Sequence, residues 1–121
     1  MAVRVGVVDD HLHLRRLVET WVEDDERLVW AGEAADGVAG LALVETADLD
    51  ALILDVDMPG MHGLDVLSEV RRSHPRLVVV LYSSDPSARA EAMARGADGF
   101  FVKGDPIREI LDTIIRLHTE R

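Results

Sequence analysis

The chain of 121 residues contains no cysteine. That excludes a disulfide framework, a thiolate zinc site and a cysteine nucleophile together. No apolar run approaches the length needed to cross a bilayer as a helix. Met1 leads directly into strand-like sequence rather than a signal-peptide pattern, so a cytoplasmic location is expected. Basic residues are also scarce: 13 against 23 acidic ones, for a net charge of −10. So acidic a surface argues against direct nucleic-acid binding by this domain, because it repels phosphate backbones. The only compact basic cluster, Arg71-Arg72 beside His74, reads as a solvated helix end.

Apolar residues make up 48% and charged residues 30%, which is the composition of a globular chain. Short continuous apolar runs alternate with stretches of helical period. Strands are expected over residues 3–8, 28–34, 51–54, 77–82 and 99–102. Leu12, Leu14, Leu17, Val18, Trp21 and Val22 recur at helical spacing after the first strand. Further helices are expected over residues 38–44, 63–73, 87–95 and 106–118, the fourth closed by Gly96 and the fifth opened near Pro106. Strand followed by helix, five times, specifies an α/β fold with a parallel sheet and helices on both faces. The second strand is the most polar and belongs near an edge, while the third and fourth are apolar throughout and belong at the centre. The chain reads as one domain spanning residues 1–121.

The first strand runs straight into Asp9-Asp10. Two unit charges about 5 Å apart at an effective dielectric of about 20 repel by roughly 3 kcal/mol. An explanation comes from the other strand ends, since a parallel α/β sheet builds its site beyond the carboxyl edge. Asp55 follows the third strand, Ser83-Ser84 the fourth and Lys103 the fifth. Three carboxylates together favour a hard divalent cation with oxygen ligands, and few protein ligands suit Mg²⁺. Such a cation with Lys103 neutralises the acids and prepares the site for anionic oxygens, namely a phosphoryl group. Taken singly, each residue has a plainer reading: Asp9-Asp10 as a helix N-cap, Ser83 as a turn residue, Lys103 as a solvated lysine. Their coincidence at four strand ends is what favours the site.

The segments VVDDH (residues 7–11), LILDVDMPGMHG (52–63), LYSSD (81–85) and GADGFFVK (96–103) resemble the receiver domain of two-component response regulators. The phrases VVDDH and WAGEAADG are most similar to the subfamily that carries helix-turn-helix DNA-binding outputs. The resemblance implies a flavodoxin-like (βα)5 sandwich with a parallel five-stranded sheet in the order 2-1-3-4-5. It implies that Asp55 accepts a phosphoryl group from the phosphohistidine of a histidine kinase. Asp10, Asp55 and the backbone carbonyl of Asp57 would ligate Mg²⁺, with Asp9 helping through water. Lys103 would pair with Asp55 and then with the phosphoryl oxygens. Ser83 would donate its hydroxyl to the phosphoryl group, and Phe100 would be the switch aromatic, with Phe101 facing the other side. Ser83 and Phe100 together would remodel the surface of helix four, strand five and helix five, where a downstream protein, an output domain or a second copy docks. Such a domain accepts one phosphoryl group and loses it slowly; it is not a turnover enzyme, and no membrane partner is implied.

Two features depart from the family pattern. The interval from Ser83 to Lys103 is shorter than usual, which puts the shortfall around residues 84–88 on the signalling face. Asp57 and Asp85 are both acidic, at positions that tune hydrolysis of the phosphoaspartate in this family. The five histidines show no ligand spacing and are read as surface residues, His62 being the one near the site. Two other functions fit parts of the sequence. The Asp-x-Asp of residues 55–57 is shared with haloacid-dehalogenase-type phosphatases, although there it opens the fold and here two strand-helix units precede it. A receiver-like module acting by protein contact alone is the other.

Overall fold

A computed structural model describes residues 2–121. Its elements are β1 (Val3–Val8), α1 (Leu12–Glu23), β2 (Leu28–Ala34), α2 (Gly37–Thr46), β3 (Ala51–Asp55), α3 (Gly63–Ser73), β4 (Val78–Ser83), α4 (Arg89–Ala94), β5 (Gly99–Val102) and α5 (Ile107–Thr119). The five strands pair in parallel in the order β2-β1-β3-β4-β5. β2 lies at one edge, while β3 and β4 are buried along their whole length, as their polarity requires.

Alternation along the strands builds two cores. Val8, Leu52, Leu54, Val79, Leu81 and Phe100 face α2, α3 and α4. Val5, Val7, Ile53, Val78, Val80 and Tyr82 face the other layer, where Val18 and Val22 of α1 meet Ile110, Leu111 and Ile114 of α5. Neighbouring strand residues thus separate to opposite faces, and Phe100 and Phe101 divide in this way. Each fully buried aliphatic side chain contributes about 1.5–3 kcal/mol, which makes the two layers the main source of cohesion.

Several boundaries differ from expectation. β4 starts at Val78 and runs through Ser83, because Ser83 pairs with Val102 of β5. α2 is longer at both ends, opened by the Asp36 carboxylate, which accepts the Ala39 N–H at 2.8 Å. The fourth helical segment divides into a 3₁₀ turn, Pro86–Ala88, and the short α4. Asp85 caps that turn by accepting the Ser87 N–H at 2.9 Å. Residues 86–94 therefore form a tight turn and only six residues of α-helix. Gly96, at φ 106°, follows the Arg95 cap of α4 in a backbone conformation that suits glycine.

Arg71 is not the solvated helix-end residue expected from its neighbourhood. Its guanidinium donates to the carbonyls of Gly96 (2.9 Å), Pro75 (3.1 Å) and Leu77 (2.8 Å), and to Asp98 Oδ2 (2.8 Å). It ties the end of α3 to the entries of β4 and β5. Arg72 alone fits the solvated reading.

Candidate functional site

Parallel pairing brings the carboxyl ends of β1, β3, β4 and β5 to one edge of the sheet. Asp9, Asp10, Asp55, Ser83 and Lys103 are placed there by strand length alone. The backbone fixes this edge further: Asp9 N–H donates to Ala34 O (3.0 Å), Val56 N–H to Tyr82 O (3.0 Å) and Lys103 N–H to Ser83 O (2.9 Å).

The three carboxylates have different partners. Asp9 is wholly buried. Its Oδ1 accepts the His11 backbone N–H at 2.7 Å and lies 3.1 Å from His11 Nδ1, while its Oδ2 accepts the Tyr82 hydroxyl. Asp55 is equally buried. Its Oδ1 accepts the Asp57 N–H at 2.9 Å and faces Lys103 Nζ at 3.0 Å. Asp10 Oδ1 and Asp55 Oδ2, by contrast, are buried with no hydrogen-bond partner. A buried carboxylate oxygen left so is costly, and carboxylates of Asp10 and Asp55 in one cluster fit a cation that both could ligate. One ligand atom from each of Asp9, Asp10, His11 and Asp55 lies within 4.8 Å of all the others.

Burial pushes the Asp55 carboxyl up, to about 6, although the Asp57 N–H and Lys103 both act to lower it. At Asp57 burial also raises the carboxyl, but bonds from the Ser83 hydroxyl and the Ser84 amide outweigh it and hold the group below its ordinary value. Asp57 Oδ2 accepts Ser83 Oγ at 2.9 Å, Ser84 N–H at 3.1 Å and Ser84 Oγ at 3.3 Å. The side chain of Asp57 thus reaches the end of β4, two residues beyond Asp55. Phe100 is 6% exposed and packs with the α2–α4 layer.

Three neighbours of the site are not apparent from sequence pattern. Tyr82 places its phenol on Asp9 and its ring 5.4 Å from Lys103 Nζ. The available signal is an aromatic with a polar tip in an otherwise aliphatic strand. His11, expected as a surface residue without a ligand role, is exposed but folds its ring to 3.2 Å from Asp10 Oδ1 as well as onto Asp9. It does so as the extended N-cap residue of α1. Gly63, the first residue of α3, lets that helix approach β3: a Cβ there would meet the Asp55 carbonyl oxygen at 2.2 Å. His62 caps α3, its Nδ1 accepting the Leu64 N–H at 3.2 Å.

Residues 5–115 match the response regulator receiver domain family. Among curated proteins, the chain is 34% identical over 110 residues to the nitrate/nitrite response regulator protein NarL of Escherichia coli K12, covering 89% of this chain and 51% of NarL. It is 35% identical over 113 residues to NarP of the same organism, covering 92% of this chain and 53% of NarP. A protein-glutamate methylesterase/protein-glutamine glutaminase of Pyrococcus abyssi is 33% identical over 121 residues, 93% of this chain and 33% of that one. The chain thus spans about half the length of NarL and NarP and a third of the methylesterase. Among solved structures, the receiver domain of the putative response regulator NarL from Mycobacterium tuberculosis superposes with a TM-score of 0.90 at 34% identity, covering 99% of this chain and 98% of that one. The response regulator domain of Thermotoga maritima CheB shares the fold, with a TM-score of 0.90 at 22% identity, covering 98% of each chain. The chain belongs to the response regulator receiver family, the phosphoacceptor domains of two-component signalling.

Proposed function

We propose that Asp55 is the phosphoacceptor of this receiver and that a histidine kinase is its donor. The observation that carries this reading is the setting of Asp55: one buried oxygen bonded to the Asp57 amide and facing Lys103, the other without a hydrogen-bond partner, in a cluster with Asp9, Asp10 and His11. A carboxylate oxygen of Asp55 attacks phosphorus, the P–N bond of the phosphohistidine breaks, and the imidazole leaves with the electron pair. Lys103 then turns from the carboxylate to the phosphoryl oxygens. Reactions of this kind depend on positioning and charge stabilisation, which a fixed ammonium beside a fixed nucleophile supplies.

Mg²⁺ suits the acidic pocket, where Asp10, Asp55 and the Asp57 carbonyl would hold it and Asp9 would assist through water. When bound it supplies positive charge that offsets the carboxylates and the incoming phosphoryl group. His11 lies close enough to influence its affinity.

Phosphorylation then acts on a pre-existing equilibrium. Ser83 moves toward the phosphoryl group, Phe100 repacks, and the face formed by α4, β5 and α5 changes for an output domain, a separate protein or a second copy. The whole chain, residues 1–121, acts in the cytoplasm as one such unit, and this domain itself turns over no substrate. The phosphatase reading of residues 55–57 loses its footing, because the Asp57 carboxylate is engaged by Ser83 and Ser84. Phosphoryl uptake from acetyl phosphate with Mg²⁺, followed by intact mass, tests the proposal. Uptake by the wild type separates it from a module that works by protein contact alone, which would take up nothing, and an Asp55→Asn control assigns the group to Asp55.

A further inference from the structure

A serine hydroxyl has one proton to donate. In this chain the Ser83 proton is already committed, to Asp57 Oδ2 at 2.9 Å, while Ser83 Oγ accepts the Asp85 N–H at 3.0 Å. Ser83 is wholly buried, so its hydroxyl has no water of its own to turn to, although the Asp57 carboxylate that accepts from it lies at the surface. Ser84 adds its amide and its hydroxyl to the same carboxylate oxygen. The end of β4 is therefore an assembled set of anion-directed donors, and the chain fills it with a carboxylate of its own. Asp57 is anchored there from the other side too, since its N–H holds Asp55 Oδ1.

We propose that the Asp57 carboxylate is an internal stand-in for the phosphoryl group, a latch that holds Ser83 and Ser84 in the resting arrangement and must be displaced before Ser83 can respond. The proposal rests on Asp55 as the acceptor. A phosphoryl group on Asp55 carries a charge of about −1.5 to −2 and three strong acceptor oxygens. It repels the Asp57 carboxylate two residues away and competes for the same hydroxyl. Activation is then an exchange of one anion for another at the end of β4. The resting state is held by a charge-assisted contact, which is stronger than a free serine rotor would give.

The contact can be read before any phosphoryl chemistry. Amide hydrogen exchange in the untreated protein should show Ser84 protected, and Asp57→Ala should remove that protection while distant β3 amides keep theirs. Unchanged Ser84 exchange in the variant would overturn the proposal. Coupling to activation is measured with beryllofluoride and Mg²⁺ by calorimetry. Asp57→Ala should bind the mimic about tenfold more tightly, the scale of a hydrogen bond to a charged group. In a Ser83→Ala background most of that gain should disappear, whereas simple removal of a nearby negative charge would give the same gain in both backgrounds. Equal gains, or no gain, would overturn the latch while leaving Asp55 as acceptor intact. Failure of the wild type and every variant to bind the mimic would overturn the acceptor reading, and the latch with it.

Discussion

Lys103 Nζ lies 3.0 Å from Asp55 Oδ1, and the two residues arrive there from the ends of strands that do not touch: β4 separates β3 from β5. Lys103 is held by its own amide on Ser83 O and by the Tyr82 ring beneath its ammonium. The ion pair therefore spans the site on a fixed backbone rather than on a mobile loop. Its loss should separate two roles. In Lys103→Met, removing a positive charge beside the acids should tighten Mg²⁺ binding by about threefold or more. Phosphoryl uptake at saturating Mg²⁺ should nevertheless slow by about an order of magnitude or more, because the ammonium no longer stabilises the transferred group. Weaker Mg²⁺ binding in the variant, measured calorimetrically, would contradict the arrangement.

The Asp55 carboxyl gives a pH dependence with a definite sign. Its folded-state value near 6 stands above the ordinary 3.8, so the folded chain holds a proton that the unfolded chain has released. Stability without divalent cations should fall as pH rises through the window between those values and stay low above it. Asp55→Asn removes this cost. The variant should be more stable than wild type at pH 8 in chelator, by up to roughly 3 kcal/mol, at about 1.36 kcal/mol per pH unit. The difference should shrink toward zero by pH 4. Urea unfolding at both pH values checks this, and equal stabilities at pH 8 would contradict it.

Gly63→Ala should disturb the site from behind. The added methyl meets the Asp55 carbonyl oxygen and, at 2.6 Å, the Val56 Cα, neither of which is a flexible side-chain end. Overpacking of this kind costs about 1–3 kcal/mol. A lowered melting temperature together with shifted Asp55–Asp57 backbone resonances is expected. A shift confined to α3 would show that the helix, not the site, gives way.

Arg71 and Arg72 are adjacent and should behave differently. Arg71→Met strips partners from four carbonyls, those of Gly96, His74, Pro75 and Leu77, and from Asp98 in a half-buried setting, and should cost about 2 kcal/mol or more. Arg72→Met removes only an exposed pair with Glu69 and should stay within about 0.5 kcal/mol of wild type. Equal effects in chemical denaturation would contradict the clamp.

That pair also shows which information the sequence carries. Strand ends are legible because period and length place Asp9, Asp55, Ser83 and Lys103 on one edge without any knowledge of side-chain direction. Phe100 and Phe101 were separable by alternation for the same reason. What was not legible depends on where long side chains turn after leaving the backbone. Arg71 bends back under its own helix, Tyr82 reaches across to Asp9, His11 folds over the acids, and Asp57 leans toward β4. The boundary of the fourth helix was obscured because residues 86–94 follow a helical pattern throughout, while Pro86 and the Asp85 cap tighten its first turn into a 3₁₀ form.

The most direct test of the account is phosphoryl uptake by intact mass. Wild type with acetyl phosphate and Mg²⁺ should gain one phosphoryl group, and both Asp55→Asn and wild type in chelator should gain none. If acetyl phosphate fails as donor, a phosphorylated histidine kinase should give the same pattern. Uptake that persists in Asp55→Asn, or no uptake from either donor, would contradict Asp55 as the acceptor.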